Sequence, residues 1–125
     1  MFGGTNMNLT NEKEQLITQL IRETLAKSVV WNVQPPPYSL RTATENFVPL
    51  YLQCQYRNRD IGLYELRQKY FTDEESFFWT ESLGICIVQD NQYVIWQIEE
   101  YSPSLKELFQ LARHQAAGIR DLLGM

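Results

Sequence analysis

The chain has little of what enzyme and metal chemistry usually draws on. It contains one histidine, His114, and two cysteines, Cys54 and Cys86, in 125 residues. Neither cysteine stands at metal-ligand spacing from the histidine. Both fall in strand-like runs, where a lone cysteine behaves as a small buried hydrophobe, so reduced thiols are expected. No Walker or dinucleotide-binding glycine pattern occurs, so no cofactor is expected. No apolar stretch approaches the ~18 residues of a membrane span. Met1 to Asn11 lacks a basic segment followed by an apolar one, which argues against a secretory leader and for a cytoplasmic protein. Residues 1–10 are expected to form a loose polar arm. Basic residues are also scarce, at 11 Lys and Arg against 15 Asp and Glu. Nucleic acid is therefore not expected as a partner, because phosphate binding needs concentrated cations. The one local cluster, Arg57, Arg59, Arg67 and Lys69, is interrupted by acids and reads as a solvated sheet edge.

Aromatic residues, by contrast, are plentiful: seven Tyr, six Phe and three Trp. With 44% hydrophobic and 21% charged residues, the composition is that of a globular domain. The length suits one domain, taken as residues 11–125, and the patterning predicts an α+β class. The expected architecture is an antiparallel sheet of four to six strands, flanked by an N-terminal and a C-terminal amphipathic helix.

Asn11 with Glu14 three residues on forms a capping box, followed by Leu16, Ile17, Leu20, Ile21 and Leu25 on one helical face. Val29 to Val33 is β-branched and aromatic and reads as a short strand. Pro35-Pro36-Pro37 reads as a rigid connector, after which Tyr38 to Thr44 returns as a strand. Phe47 to Tyr56 alternates as a half-buried strand, with Pro49 marking an edge or bulge. Arg57 to Asp60 is a turn, Ile61 to Phe71 is read as a strand, and Thr72 to Ser76 is a loop.

Leu83, Ile85 and Ile87 then alternate up to Asp90-Asn91, and Val94, Trp96 and Ile98 alternate after it. A two-residue hairpin loop would pair 87 with 94, 85 with 96 and 83 with 98, all on one face. In the last helix Ser102 caps, Pro103 opens the first turn and Gly124 stops. Leu105, Leu108, Phe109, Ala112, Ala116, Ile119 and Leu123 form its stripe. Gly62 and Gly84 sit inside strand patterns, where glycine signals a bulge or a close approach.

No catalytic constellation is visible. A hydrolase built on Glu99, Glu100 and His114 would require them to converge within hydrogen-bonding reach. A more informative feature is the second sheet face, which would carry Phe47, Tyr51, Cys86, Val88, Tyr93 and Ile95. If both helices pack on the other side, this face is a contact surface. If they straddle the sheet, it is core. The expectation that follows is a non-enzymatic protein–protein interaction or assembly module, self-associating as a homodimer, with Trp31, Tyr51, Tyr93 and Ile95 as interface contacts. The alternative is a small apolar ligand in a cleft between sheet and C-terminal helix, lined by Trp79, Trp96 and Phe109.

The segment Leu25-Ala26-Lys27-Ser28-Val29-Val30-Trp31 and the helix Leu105 to Arg113, with Ala116 and Ile119 following, resemble a family of small uncharacterised bacterial α+β proteins. The resemblance implies the helix–sheet–helix order and no known activity.

Overall fold

The computed structural model describes residues 5–41 and 46–125, with side chains placed over 11–41 and 47–125. It opens with helix α1 (Thr5–Leu25) and the two-residue strand β1 (Asn32–Val33). A single helical turn, α2 (Tyr38–Arg41), leads towards strands β2 (Asn46–Tyr56), β3 (Arg59–Phe71), β4 (Phe77–Gln89) and β5 (Tyr93–Glu100). Helix α3 (Pro103–Ala117) and one further turn, α4 (Ile119–Leu122), end the described fold. The five strands form one antiparallel meander in sequence order. The class is α+β, as the patterning predicts.

Several boundaries depart from the sequence expectation. Helix α1 begins at Thr5, so the expected arm is helical over 5–10, and its first four residues lie outside the described ones. Thr5 to Thr10 contains no glycine or proline, and nothing there stops the helix from extending past Asn11. Glu14 consequently lies inside α1, where its carboxylate accepts from Ser104 Oγ at 3.0 and 3.1 Å. Lys13 binds Glu100 at 2.9 Å, so this part of α1 is tied to the end of β5 and the start of α3. Tyr38 to Arg41 is helical rather than extended, and residues 42–44 of that expected strand lie outside the described ones.

In the last helix the expected cap is present, with Ser102 Oγ accepting from the Leu105 N–H at 3.2 Å. The stop comes earlier than Gly124. Gly118, at φ 68°, adopts the left-handed conformation that ends helices and turns the chain into α4. Leu123 therefore leaves the stripe and is exposed.

The β4–β5 hairpin keeps the predicted face for Trp96 and Ile98 but not the predicted register, and Val94 turns to the other face, beside Val88. Its turn contains Asp90, Asn91 and Gln92, one residue more than expected, with Gln92 N–H donating to Gln89 C=O at 3.1 Å. A bulge then leaves Ile95 unopposed, since Ile87 pairs with Trp96 and Val88 with Val94. Each insertion alone would turn every side chain over. Together they restore the faces from Trp96 onward, leaving Tyr93 and Val94 exchanged between them. They also shift the pairing by two residues, so Ile85 lies opposite Ile98 and Leu83 opposite Glu100.

Both long helices share one sheet face. Ile17 and Leu20 of α1 and Leu105, Leu108, Phe109 and Ala112 of α3 pack onto Leu52, Cys54, Ile61, Leu63, Leu83 and Ile85. Each such aliphatic side chain contributes roughly 1.5–3 kcal/mol when fully removed from water.

The opposite face has a smaller core of its own. Tyr51, Tyr64, Leu66, Cys86 and Val88 are covered there by Leu40. The segment after β1 runs across this face as a strap, beginning with Gln34 N–H on Tyr51 C=O and ending with Ser39 on Gln92 and Val94. Consecutive prolines hold such a segment extended. Cys54 and Cys86 point to opposite faces and are free thiols.

Candidate functional site

Strands β3 and β4 have 13 residues each, about 43 Å at strand rise, whereas the 21-residue α1 and 15-residue α3 measure about 32 and 22 Å. The sheet outruns its helical layer. The excess is the far end of the β3–β4 hairpin, from Lys69 to Trp79, in which Lys69 pairs with Trp79, Tyr70 with Phe78 and Phe71 with Phe77.

Alternation places Phe71, Phe77 and Trp79 on the helix-bearing side and Tyr70 and Phe78 on the other. Apolar residues on both sides of a strand normally indicate cover on both sides. Here all five aromatics are exposed, between 44% and 60% of their full surface. They touch one another instead. Ring centroids are 5.3 Å apart for Tyr70 and Phe78, 5.7 Å for Phe71 and Phe77, and 6.1 Å, edge to face, for Phe77 and Trp79. The Lys69 ammonium lies 4.7 Å from the Phe77 ring centre and 5.6 Å from that of Trp79. Arg67 and Glu81 pair at 3.3 Å on the same side.

At the tip, Asp73 Oδ1 accepts the N–H groups of Glu75 and Ser76, both at 2.8 Å. These two bonds hold its carboxyl below the usual carboxylate range. The sequence signal for the ribbon is the run Phe77-Phe78-Trp79, since three successive aromatics cannot all lie on one side of a strand.

The residues expected at an interface divide. Trp31 is buried in the helix-side core, where its Nε1 donates to Thr24 Oγ1 at 3.0 Å and its backbone N–H to Gln115 Oε1 at 2.7 Å. Tyr51 is buried under the strap, with its hydroxyl on Gln53 Oε1 at 2.7 Å. Neither can touch a partner. Trp31 is enclosed because the helices cover it, and Tyr51 because the second face has a cover of its own. Tyr93 and Ile95 are exposed, at 58% and 55%. Tyr93, opposite Gln89, and Phe47, opposite Arg67, nevertheless lie on the helix-bearing side rather than on the second face, because a bulge in each strand inverts the alternation.

The alternative cleft does not assemble. Phe109 is buried in the main core, Trp96 packs against that core, and Trp79 stands in the ribbon. Trp79 and Ile87, the residue opposite Trp96, are eight positions apart on β4, about 26 Å. The space between sheet and α3 is occupied by Leu105, Leu108, Phe109 and Ala112.

A groove of about 420 Å³ lies elsewhere, where α1 and α3 end, lined by Leu25, Val30, Leu111, Ile119, Lys27 and His114. Lys27 stands just past the C-terminus of α1, where positive charge offsets the helix dipole.

Glu99, Glu100 and His114 are not brought together. The Glu99 side chain lies on the strap face, accepting from Tyr64 at 2.7 Å and Gln97 at 3.0 Å. Glu100 faces Lys13, and His114 is twelve residues along α3 from Ser102, about 18 Å. Among the described residues no three His, Cys, Asp or Glu side chains converge as a metal site.

No family model, curated protein or solved structure matches the chain.

Proposed function

We propose that the chain is an assembly module that self-associates through the β3–β4 ribbon. One observation carries the reading: Tyr70, Phe71, Phe77, Phe78 and Trp79 form a contiguous aromatic surface on both sides of a hairpin that no other described element covers. Aromatic side chains supply large contact area at little entropic cost, and apolar surface of this kind on a single copy marks contact sites.

The test is sedimentation velocity over a wide concentration range, with Phe78→Ser/Trp79→Ser as the comparison. The wild type is expected to dimerise with rising concentration, and the double variant to need at least about tenfold more protein, the equivalent of ~1.4 kcal/mol. Unfolding temperature should hardly change, since both side chains are exposed. A wild type that stays monomeric throughout, or a double variant that associates equally well, overturns the reading.

A further inference from the structure

The ribbon has an edge as well as two faces. Pairing of β4 with β5 ends at Leu83 and Glu100, so the outer edge of β4 from Phe77 to Ser82 has no strand beside it among the described residues. Open edges are normally guarded by bulges, prolines or charge. The edge of β2 is interrupted by Pro49 and by a bulge between Phe47 and Leu50, and that of β5 by the bulge at Ile95. Phe77 to Ser82 has none of these interruptions, and its one charge, Glu81, is already paired with Arg67.

The edge also has a determinate polarity. Thr72 N–H donates to Ser76 C=O at 2.9 Å across the mouth of the hairpin loop. Counting by alternation from that pair, Phe78 and Thr80 bond inward to β3, while Phe77, Trp79 and Glu81 turn their backbone groups outward.

We propose that this edge pairs antiparallel with the same edge of a second copy about a two-fold axis at Thr80, continuing the sheet from one copy into the next. The proposal rests on the self-association reading above and specifies its geometry. In this register Trp79 of each copy exchanges backbone hydrogen bonds with Glu81 of the other, and Thr80 meets Thr80.

Charge selects a second copy as the occupant. On the helix-bearing side the row Lys69–Trp79 of one copy continues as Glu81–Arg67 of the other, so cation, aromatic, anion and cation alternate across the junction. Lys69 lies against two rings with no carboxylate partner among the described residues. Antiparallel pairing keeps the two Glu81 side chains apart, and Thr–Thr is a favourable cross-strand pair.

Thr80→Cys tests the geometry directly. A non-hydrogen-bonded antiparallel pair has Cα atoms about 4.5 Å apart, inside the roughly 4.4–6.8 Å range of disulfides. Mild oxidation should link Thr80→Cys into a covalent dimer and leave Ser82→Cys, which would face Phe78, unlinked. The native cysteines are buried and do not compete.

Hydrogen exchange on the unsubstituted chain gives a second readout. Amides of Trp79 and Glu81 should gain about tenfold or more in protection as concentration rises, while Phe78 and Thr80 stay protected throughout. Association without either signature overturns edge pairing and leaves the self-association reading standing. Linkage through Trp79→Cys instead overturns the Thr80 register. A strict monomer overturns both proposals, and alternate-amide protection induced only by an extended peptide overturns the choice of a second copy.

Discussion

Tyr64 lays its ring over the bare Cα of Gly84 on the neighbouring strand, and its hydroxyl donates to Glu99 on the strand beyond at 2.7 Å. One strand over, Tyr51 covers Gly62 in the same manner, and the two rings stack at 6.4 Å. The glycines act here by lacking a side chain. A Cβ at Gly84 would overlap the Tyr64 ring, and one at Gly62 would stand 2.6 Å from Tyr51 Cε2. Gly84→Ala is therefore expected to lower unfolding stability by about 2–3 kcal/mol, read from urea denaturation. Adding Tyr64→Ala should make the glycine substitution nearly harmless, because the clash is gone. Equal costs in both backgrounds would show that the ring does not require the glycine.

Gln115 replaces a strand neighbour for the linker after α1. Its amide accepts from Trp31 N–H at 2.7 Å and donates to Val29 C=O at 2.8 Å. Gln115→Leu keeps the bulk and strands both backbone groups. A loss of about 2 kcal/mol is expected, because an unmade bond to a buried group costs more than a made one contributes. Thermal unfolding checks it, and an unchanged midpoint would mean that water replaces the amide.

Burial pushes the thiols of Cys54 and Cys86 up to about 12 from an ordinary value of 9. At pH 8 neither should react with iodoacetamide in the native state, and both should react in denaturant, as mass spectrometry would show. The sign of the linkage follows. The unfolded chain releases these protons above pH 9 and the folded chain holds them until about 12, so stability falls across that window. Each thiol should cost about 1.4 kcal/mol per pH unit there. Denaturation at pH 8 and pH 10 measures it, and a flat profile would place both sulfurs in contact with water.

Lys13 holds the Glu100 carboxyl below its ordinary range through a charge-assisted bond. A lowered folded pKa stabilises above the unfolded value of about 4.5 and is lost as pH falls through the folded one. Lys13→Met should flatten that acid limb, with a loss at neutral pH no greater than about 1 kcal/mol, since the pair is partly solvated. A wild-type acid limb unchanged in the variant would remove the pair from the account.

Gly118→Ala places a methyl group in nearly open space but on a backbone at φ 68°. A cost of about 1 kcal/mol with an unchanged fold is expected, measured by thermal unfolding and circular dichroism.

Much of the fold was legible along the chain. The stripe Leu105-Leu108-Phe109-Ala112, the Ser102-Pro103 start and the alternation of β2 and β4 are local signals, and each element formed. Glycine inside the strands signals a bulge or a close approach; the structure shows the close approach, to a tyrosine one strand away that no local pattern names. The hairpin register was missed because an extra turn residue and a bulge cancel in hydrophobic parity. Of the candidate contact residues, Tyr93 and Ile95 were found exposed. Trp31 and Tyr51 were not, because aromatic character marks burial and binding alike.

What the sequence determined by itself is which residues share a face within an unbroken strand, since side-chain period depends only on backbone geometry. Across the bulges of β2 and β5 Val48 and Val94 changed sides, because an extra residue inverts the alternation. What the tertiary structure decided is which faces are covered. Both helices lie on one side, a proline-led strap covers part of the other, and neither reaches the end of a hairpin about 43 Å long. Coverage depends on the reach of distant elements, and no local pattern encodes it. For that reason Tyr64, on the long hairpin, and Tyr51, on the strand beside it, became core while Phe78 and Trp79, at the far end of the hairpin, stayed at the surface.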